Sequence, residues 1–132
     1  MSSFIGAWRL ISFEERYPDG SSAYPYGSDP VGILMYDASG RMSVQIMRRD
    51  RPNLSGDPQH ASPDEIKSAV EGFTAFFGSY EIDEARQVVI HHVEGHLLPN
   101  SVGKNLERRF EFSGDKLILR PSDNRTLVWQ RV

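Results

Sequence analysis

Most of this chain alternates apolar and polar residues in short segments that are separated by turn-forming residues. A period of two indicates β-strands, because successive side chains of a strand point to opposite faces. The alternation predicts strands over residues 6–15, 31–36, 41–47, 78–83, 88–95, 106–112, 116–120 and 125–131, with a short edge segment at 22–26. Turn sequences such as Tyr17-Pro18-Asp19-Gly20 and Asp37-Ala38-Ser39-Gly40 predict antiparallel hairpins between neighbouring strands.

The middle of the chain has a different period. Residues 48–62 are polar and contain prolines and a glycine, which predicts a loop. Ser62-Pro63-Asp64-Glu65 then predicts a helix start, because serine caps helices, proline suits the first helical position and acidic groups favour the positive end. The apolar residues that follow at helical spacing are Ile66, Ala69, Val70, Phe73 and either Phe76 or Phe77.

These elements predict one all-β domain over residues 1–132. The expected architecture is an antiparallel up-and-down barrel of about eight strands, with one α-helix between the third and fourth main strands. Closing the sheet removes its edges. A barrel of this size encloses a space that side chains fill or that one small ligand occupies.

The charge and composition narrow the range of partners. The chain has 15 basic and 18 acidic residues, a formal net charge of −3, so we expect no nucleic-acid binding. It has no cysteine, which excludes disulfides, thiol catalysis and cysteine metal sites and fits a cytoplasmic protein. We expect no signal peptide and no membrane contact, because residues 1–8 lack the signal pattern and no apolar run approaches about 20 residues.

The segment His91-His92-Val93-Glu94-Gly95-His96 is the first candidate for chemistry. Regular alternation places His92, Glu94 and His96 on one face of a strand and places His91 on the other face, with valines as its neighbours. In a straight strand, positions i and i+4 lie about 13 Å apart, so the face with His92, Glu94 and His96 is predicted to be solvated. A metal ion there would need further ligands from other strands, and we expect no cofactor. His91 is predicted to face the interior, either as an acid or base or as a core histidine bonded to backbone or tyrosine.

Arg108 is the second candidate, because its neighbours on the same strand face are apolar. Leu106, Phe110 and Phe112 share that face, which places the Arg108 guanidinium inside the barrel. A guanidinium there binds a ligand carboxylate, enolate or phenolate, or stabilises developing oxyanion charge. The alternative is an internal ion pair, with Glu81 or Glu14 as partner.

A Gly-x-Trp motif, Gly6-Ala7-Trp8, opens the first strand, and the last strand carries Trp129 and Arg131. The matching segments run in order along nearly the whole chain: Gly6–Phe13, Tyr24–Gly27, Pro30–Tyr36, Gly40–Gln45, Gly78–Asp83, His91–Gly95, Pro99-Asn100 and Arg108–Phe110. In these segments the chain resembles a family of small bacterial and fungal lipocalin-like domain proteins. The resemblance implies a calycin-type barrel in which Trp8 closes one end and Arg131 packs over its ring. It also points to relatives in natural-product pathways, for which isomerase or cyclase roles are proposed.

Three functions remain open from the sequence. The first is a cytoplasmic barrel that binds a small, largely apolar or amphipathic molecule, with one polar end held by His91 and Arg108. The second is a cofactor-independent isomerase, cyclase or dehydratase acting on a small natural-product-like metabolite, in which His91 moves a proton and Arg108 stabilises negative charge. The third is a structural or interaction barrel without a ligand, and a homodimer is an option for any of them.

Several further residues are candidates for lining a ligand site. Ser43 and Gln45 offer neutral hydrogen-bonding groups, but they alternate with Met42 and Val44, and the pattern leaves open which pair faces the interior. The remaining ligand-binding candidates are Tyr36, Tyr80, Asn100, Phe110 and Trp129.

Overall fold

The computed structural model describes residues 3–132. Within that range the strands are β1 (Gly6–Arg16), β2 (Ser22–Ala23), β3 (Val31–Tyr36), β4 (Arg41–Met47), β5 (Phe73–Asp83), β6 (Val88–His96), β7 (Asn105–Ser113), β8 (Lys116–Ser122) and β9 (Arg125–Arg131). A helix, α1 (Pro63–Glu71), lies between β4 and β5, and a 3-10 turn spans Pro99–Ser101. No helix in the described range is long and apolar enough to cross a membrane.

The long strands form one closed antiparallel sheet. Each pairs with its neighbour in the chain, and β1 also pairs with β9, which joins the two ends of the sheet. The two-residue β2 adds only a short pairing at the end of β1. The predicted eight-stranded up-and-down barrel with one helix is therefore confirmed, and closure gives each long strand of the described range a neighbouring strand on both sides.

Helix α1 begins as the sequence predicted but ends earlier. Ser62 and Glu65 form a reciprocal capping box, and Pro63 is the first helical residue. The helix ends at Glu71, so the predicted continuation of its apolar stripe into residues 73–77 is wrong. Those residues are aromatic or small and begin β5, where they pair with β4, because the ladder of backbone hydrogen bonds outweighs their accidental helical spacing.

The pairing of β5 with β6 contains a β-bulge. Phe77 lies opposite Gly95, but the next residue, Gly78, lies opposite Val93, so Glu94 is an extra residue in β6. Gly78 is needed at this point, because a β-carbon there would overlap the backbone carbonyl of His92. A β-carbon on Gly95 would meet the ring of Phe77, which is half exposed and would have to shift.

The bulge reverses the alternation of side chains beyond it. His96, which the sequence placed on the outer face with His92, instead turns to the inner face. There its ring stacks on Phe76, with centroids 5.1 Å apart and planes within 3°. The predicted shared face of His92, Glu94 and His96 is therefore wrong, because one inserted residue changes the parity of a strand.

One end of the barrel is closed by aromatic rings, and we call it the closed end. Phe4 lies at its centre, with edge-to-face contacts to Tyr36, Phe110 and Phe112. Trp8 is 1% exposed, and its Nε1 donates to the backbone oxygen of Phe4 at 2.9 Å. These contacts fill this end with side chains whose polar atoms have partners.

The guanidinium of Arg131 covers Trp8 from outside. Its Cζ lies 4.1 Å from the centroid of the Trp8 ring, a cation–π arrangement. The same group donates to the backbone oxygens of Ile5 and Ser3, which ties the last strand to the segment that precedes the first.

Candidate functional site

The other end of the barrel contains a cavity of about 300 Å³, which we call the interior cavity. Its walls are mostly apolar, and its buried members include Leu34, Val44, His91 and Trp129. Its charged members are Glu15, Arg108 and Arg125. The lining thus carries two cations and one anion in a chain whose net charge is −3.

His91 lies at the buried part of this cavity and is 3% exposed. It sits between Val89 and Val93 on the inner face of β6, as the alternation predicted. Its Nε2 is 2.7 Å from the hydroxyl oxygen of Tyr36, and its Nδ1 has no hydrogen-bond partner among the described residues. Burial, together with the nearby charge of Arg108, lowers the pKa of His91 to about 3, so the imidazole is neutral at physiological pH.

Arg108 also lines the cavity, on the inner face of β7. Its one hydrogen bond is a long one, 3.4 Å, to the backbone oxygen of Glu107, and it has no carboxylate partner within residues 3–132. Burial lowers the pKa of its guanidinium, but a guanidinium keeps its charge in proteins.

The two carboxylates that the sequence offered as partners of Arg108 are engaged elsewhere. Glu81 contacts the ring of His92 at 3.3 Å. Glu14 pairs with Arg16 at 3.2 Å and accepts from the hydroxyl of Tyr24. The predicted internal ion pair is therefore absent, and the cavity contains a half-buried cation without a counter-ion in the described chain.

Trp129 is the third polar group of the buried part of the cavity. It lies on β9 opposite Leu10 and Leu117, and it is 1% exposed. Its Nε1 is the other buried side-chain nitrogen that lacks a hydrogen-bond partner in the part of the chain that the structure describes. The two buried side-chain atoms that lack a partner among residues 3–132, in Trp129 and His91, thus belong to residues that line one cavity.

The outer part of the cavity has its own charged pair. Arg125 lies 3.7 Å from Glu15, which also accepts a hydrogen bond from Tyr17. His96 lines the same region and accepts a hydrogen bond from the backbone nitrogen of Leu98. Sequence reasoning missed Arg125 and misplaced His96; the pair of glycines at 78 and 95 was the only available signal of the bulge.

Two predicted residues lie next to the site rather than in it. Tyr36 packs against Phe4 in the closed end and reaches the cavity through its hydrogen bond to His91. Tyr80 packs on the ring of Tyr36 and donates to the backbone oxygen of Asp37 at 2.8 Å.

The structure does not bring the remaining candidates to the cavity. Met42 and Val44 face inward and are buried, so Ser43 and Gln45 lie on the outer face, where Gln45 donates to Ser43 at 2.9 Å. Neither Ser43 nor Gln45 therefore lines the interior cavity. Phe110 belongs to the packed closed end, and Asn100 is exposed on the 3-10 turn.

The polar residues on the outside of β6 have ordinary surface partners. His92 bonds to the side-chain oxygen of Asn105 at 2.6 Å, and Glu94 pairs with Arg41 at 2.6 Å. Within residues 3–132 no three side chains of the usual ligand types are grouped so as to hold a metal ion.

The sequence is similar to a known protein family. A family model described as a lipocalin-like domain matches residues 5–131, which is nearly the whole chain. No curated protein matches the sequence. A barrel of this kind is compatible with small-molecule binding in general, and the geometry above is what bears on the nature of the ligand.

Proposed function

This chain belongs to the lipocalin-like domain family, and on that premise we propose that it binds one small, largely apolar molecule in the interior cavity, with a polar end at His91 and Arg108. One observation carries the proposal: a mostly apolar cavity surrounds polar groups that have no partner in the described chain. Pockets for small molecules combine apolar walls with a few polar groups in this way.

The energetics support binding by burial with orientation by polar contacts. Transferring apolar surface from water contributes about 25 cal/mol per Å². A buried donor without a partner costs about 1–3 kcal/mol, and a ligand that supplies an acceptor recovers part of this. The apolar walls therefore provide affinity, and the unpaired groups provide orientation.

Catalysis is the second candidate, because the neutral ring of His91 leaves one nitrogen unpaired beside a cation. An isomerase, cyclase or dehydratase of this kind would move a proton at His91 and hold negative charge at Arg108. A pKa of about 3 makes the protonated ring unfavourable by about 5 kcal/mol at neutral pH, which favours binding over proton transfer through His91.

The proposed binding is tested with a neutral apolar probe and a matched pair of variants. Thr74 lines the cavity, whereas the next residue, Ala75, lies on the opposite face of β5. We expect N-phenyl-1-naphthylamine to become fluorescent with wild-type protein and with Ala75→Phe, and to bind at least about tenfold more weakly to Thr74→Phe. Equal fluorescence in the two variants, with both folded by circular dichroism, overturns a ligand site in the barrel.

A second measurement identifies a natural ligand. Native mass spectrometry of freshly purified protein is expected to show an added small-molecule mass in the wild type and in Ala75→Phe, and a reduced one in Thr74→Phe. The cytoplasmic location stays a prediction supported by the absence of cysteine. The homodimer stays a prediction as well.

A further inference from the structure

We propose that the polar end of the ligand is an anionic oxygen acceptor of the carboxylate class, because the two buried unpaired nitrogens of the interior cavity and its one guanidinium without a carboxylate partner in the described chain are hydrogen-bond donors. This inference rests on the proposed function and specifies its ligand. The groups are Arg108, the Nδ1–H of His91 and the Nε1–H of Trp129. The first is charged, and the other two are buried and lack partners within the described residues.

The state of His91 follows from its contact with Tyr36. The Tyr36 hydroxyl is fully buried, its pKa is raised by that burial, and it therefore keeps its proton. Its hydrogen bond within the described chain is to Nε2 of His91. If the hydroxyl donates, Nε2 is the acceptor and the neutral ring carries its hydrogen on Nδ1.

The opposite tautomer is less favourable once a ligand acceptor lies beside Nδ1. With the hydrogen on Nε2, the ring would donate to the Tyr36 oxygen, and both the hydroxyl hydrogen of Tyr36 and the ligand acceptor would lack a partner. With the hydrogen on Nδ1, the hydroxyl donates to Nε2 and the ligand pairs with Nδ1–H, which avoids the cost of about 1–3 kcal/mol for an unsatisfied buried donor. Tyr36 thus acts as a positioning residue: it makes His91 present a donor, rather than a lone pair, on its unpaired side.

The other two groups, the indole of Trp129 and the guanidinium of Arg108, act only as hydrogen-bond donors. An indole nitrogen only donates, and a guanidinium has donors but no acceptor. Arg108 has no carboxylate partner in residues 3–132, and the one carboxylate of the lining, Glu15, is paired with Arg125. At these three groups the cavity therefore offers hydrogen-bond donors and a positive charge to a ligand.

The combination of hydrogen-bond donors and positive charge favours some polar groups of a ligand over others. A carboxylate has only acceptor sites and a negative charge, so it matches all three donors. A ketone matches the donors but not the charge. A primary amide brings two N–H groups that would lack acceptors beside these donors, and an ammonium is repelled by Arg108. A cavity of about 300 Å³ limits the apolar part to a small molecule.

Three probes of one shape separate these properties: decanoate, 2-undecanone and decanamide. By isothermal titration calorimetry we expect decanoate to bind at least about tenfold tighter than decanamide, with 2-undecanone between them. Arg108→Gln is expected to weaken the binding of decanoate by about tenfold or more and the binding of 2-undecanone by less than about twofold.

The matched control is Arg109→Gln. Arg109 is the next residue of the same strand, lies on the outer face and pairs with Asp123. We expect it to leave the binding of all three probes unchanged, which separates the position of the guanidinium from the net charge of the protein.

Nitrogen-15 NMR tests the donor roles directly. We expect His91 to show the Nδ1–H tautomer in wild-type protein with decanoate bound and to lose part of that preference in Tyr36→Phe, a change that a purely structural role of Tyr36 would not produce. Decanoate is expected to shift the His91 Nδ1 and Trp129 indole signals, whereas the Trp8 indole, bonded to Phe4, serves as an internal control.

The outcomes distinguish the carboxylate inference from the proposed binding of an apolar molecule. If decanamide binds as tightly as decanoate, or if His91 carries its hydrogen on Nε2, the carboxylate inference is overturned while binding of apolar molecules stands. If none of the three probes binds and N-phenyl-1-naphthylamine also fails, the proposed function falls with it.

Discussion

Each end of the barrel contains a tryptophan and an arginine, yet these residues differ in their hydrogen-bond and charge partners. At the closed end, the Trp8 indole donates to a backbone oxygen and Arg131 lies over its ring while bonding to two more. In the interior cavity, the Trp129 indole is unpaired and Arg108 has no counter-ion in the described chain. The same two residue types thus have their hydrogen-bond partners at the closed end, whereas in the interior cavity the indole has none and the guanidinium has one long hydrogen bond within the described chain.

This difference teaches how to separate structural from functional polar groups in a small barrel. A buried polar group that has its hydrogen bonds contributes to folding, whereas one without partners costs free energy in the folded protein. That cost is tolerated where a ligand supplies the missing partner. Four predictions, ordered from the largest expected effect, test whether the two ends differ in this way.

Removing the ring that closes the barrel is expected to have the largest effect. Trp8→Ala should lower the free energy of unfolding by about 3–5 kcal/mol, because it leaves a cavity among packed aromatic rings. Urea unfolding followed by circular dichroism measures this. The milder change Trp8→Phe should still cost more than Trp129→Phe, since only the former leaves a bonded backbone oxygen without its donor; equal losses would contradict the comparison.

Between pH 7 and pH 5, the loss of folding stability on acidification is expected to come mainly from the cavity end. His91 has a pKa of about 3 in the folded protein against a usual value of 6.5. Below pH 6.5 the unfolded chain binds a proton that the folded chain does not, so stability falls as the pH falls. The loss from this group is about 1.4 kcal/mol per pH unit, or about 2 kcal/mol between pH 7 and pH 5.

The variant His91→Gln measures that contribution. Its free energy of unfolding should fall less steeply with acidification than that of the wild type, because the variant lacks the buried imidazole. Parallel curves for wild type and His91→Gln would show that His91 is not held neutral by the fold.

The arginine of the closed end is expected to stabilise the fold moderately. Arg131→Gln removes the cation over Trp8 and two hydrogen bonds to backbone oxygens. The expected loss is about 1–2 kcal/mol in urea unfolding, since the site is exposed. A variant as stable as the wild type would mean that closure depends on Trp8 alone.

The arginine of the cavity is expected to have the smallest effect, with the opposite sign. Arg108→Met replaces a half-buried cation without a counter-ion by an apolar side chain of similar length, so stability should stay the same or rise by about 1 kcal/mol. Thermal unfolding of the ligand-free protein measures it. A clear loss of stability would place Arg108 with Arg131 as a structural residue.

The strands were predictable because apolar and polar residues alternate with a period of two in any sheet that is buried on one face. The helix start was predictable because capping is local: Ser62, Pro63 and Glu65 satisfy one another without help from the rest of the chain. The helix end was not, since Phe73 and the residues after it fit both periods and their pairing with β4 decides between them.

For the candidate site, the placement of His91 and Arg108 on inner faces followed from their apolar neighbours. The face of Ser43 and Gln45 did not follow, because both sides of β4 carry apolar residues. His96 was misplaced, since a bulge depends on the partner strand: Gly78 of β5 is what lets Glu94 be inserted in β6.

By itself, the sequence determined which residues form strands, where the helix begins and which polar residues share a face with apolar ones, because these depend on neighbours within a few positions. Only the tertiary structure decided which polar groups are satisfied. Arg131 finds its oxygen atoms on Ile5 and Ser3, at the opposite end of the chain, and it reaches them only when β9 pairs with β1. Trp8 finds its acceptor on the nearby Phe4, whose ring is held in the closed end by Tyr36, Phe110 and Phe112, whereas nothing in the described chain reaches the indole nitrogen of Trp129.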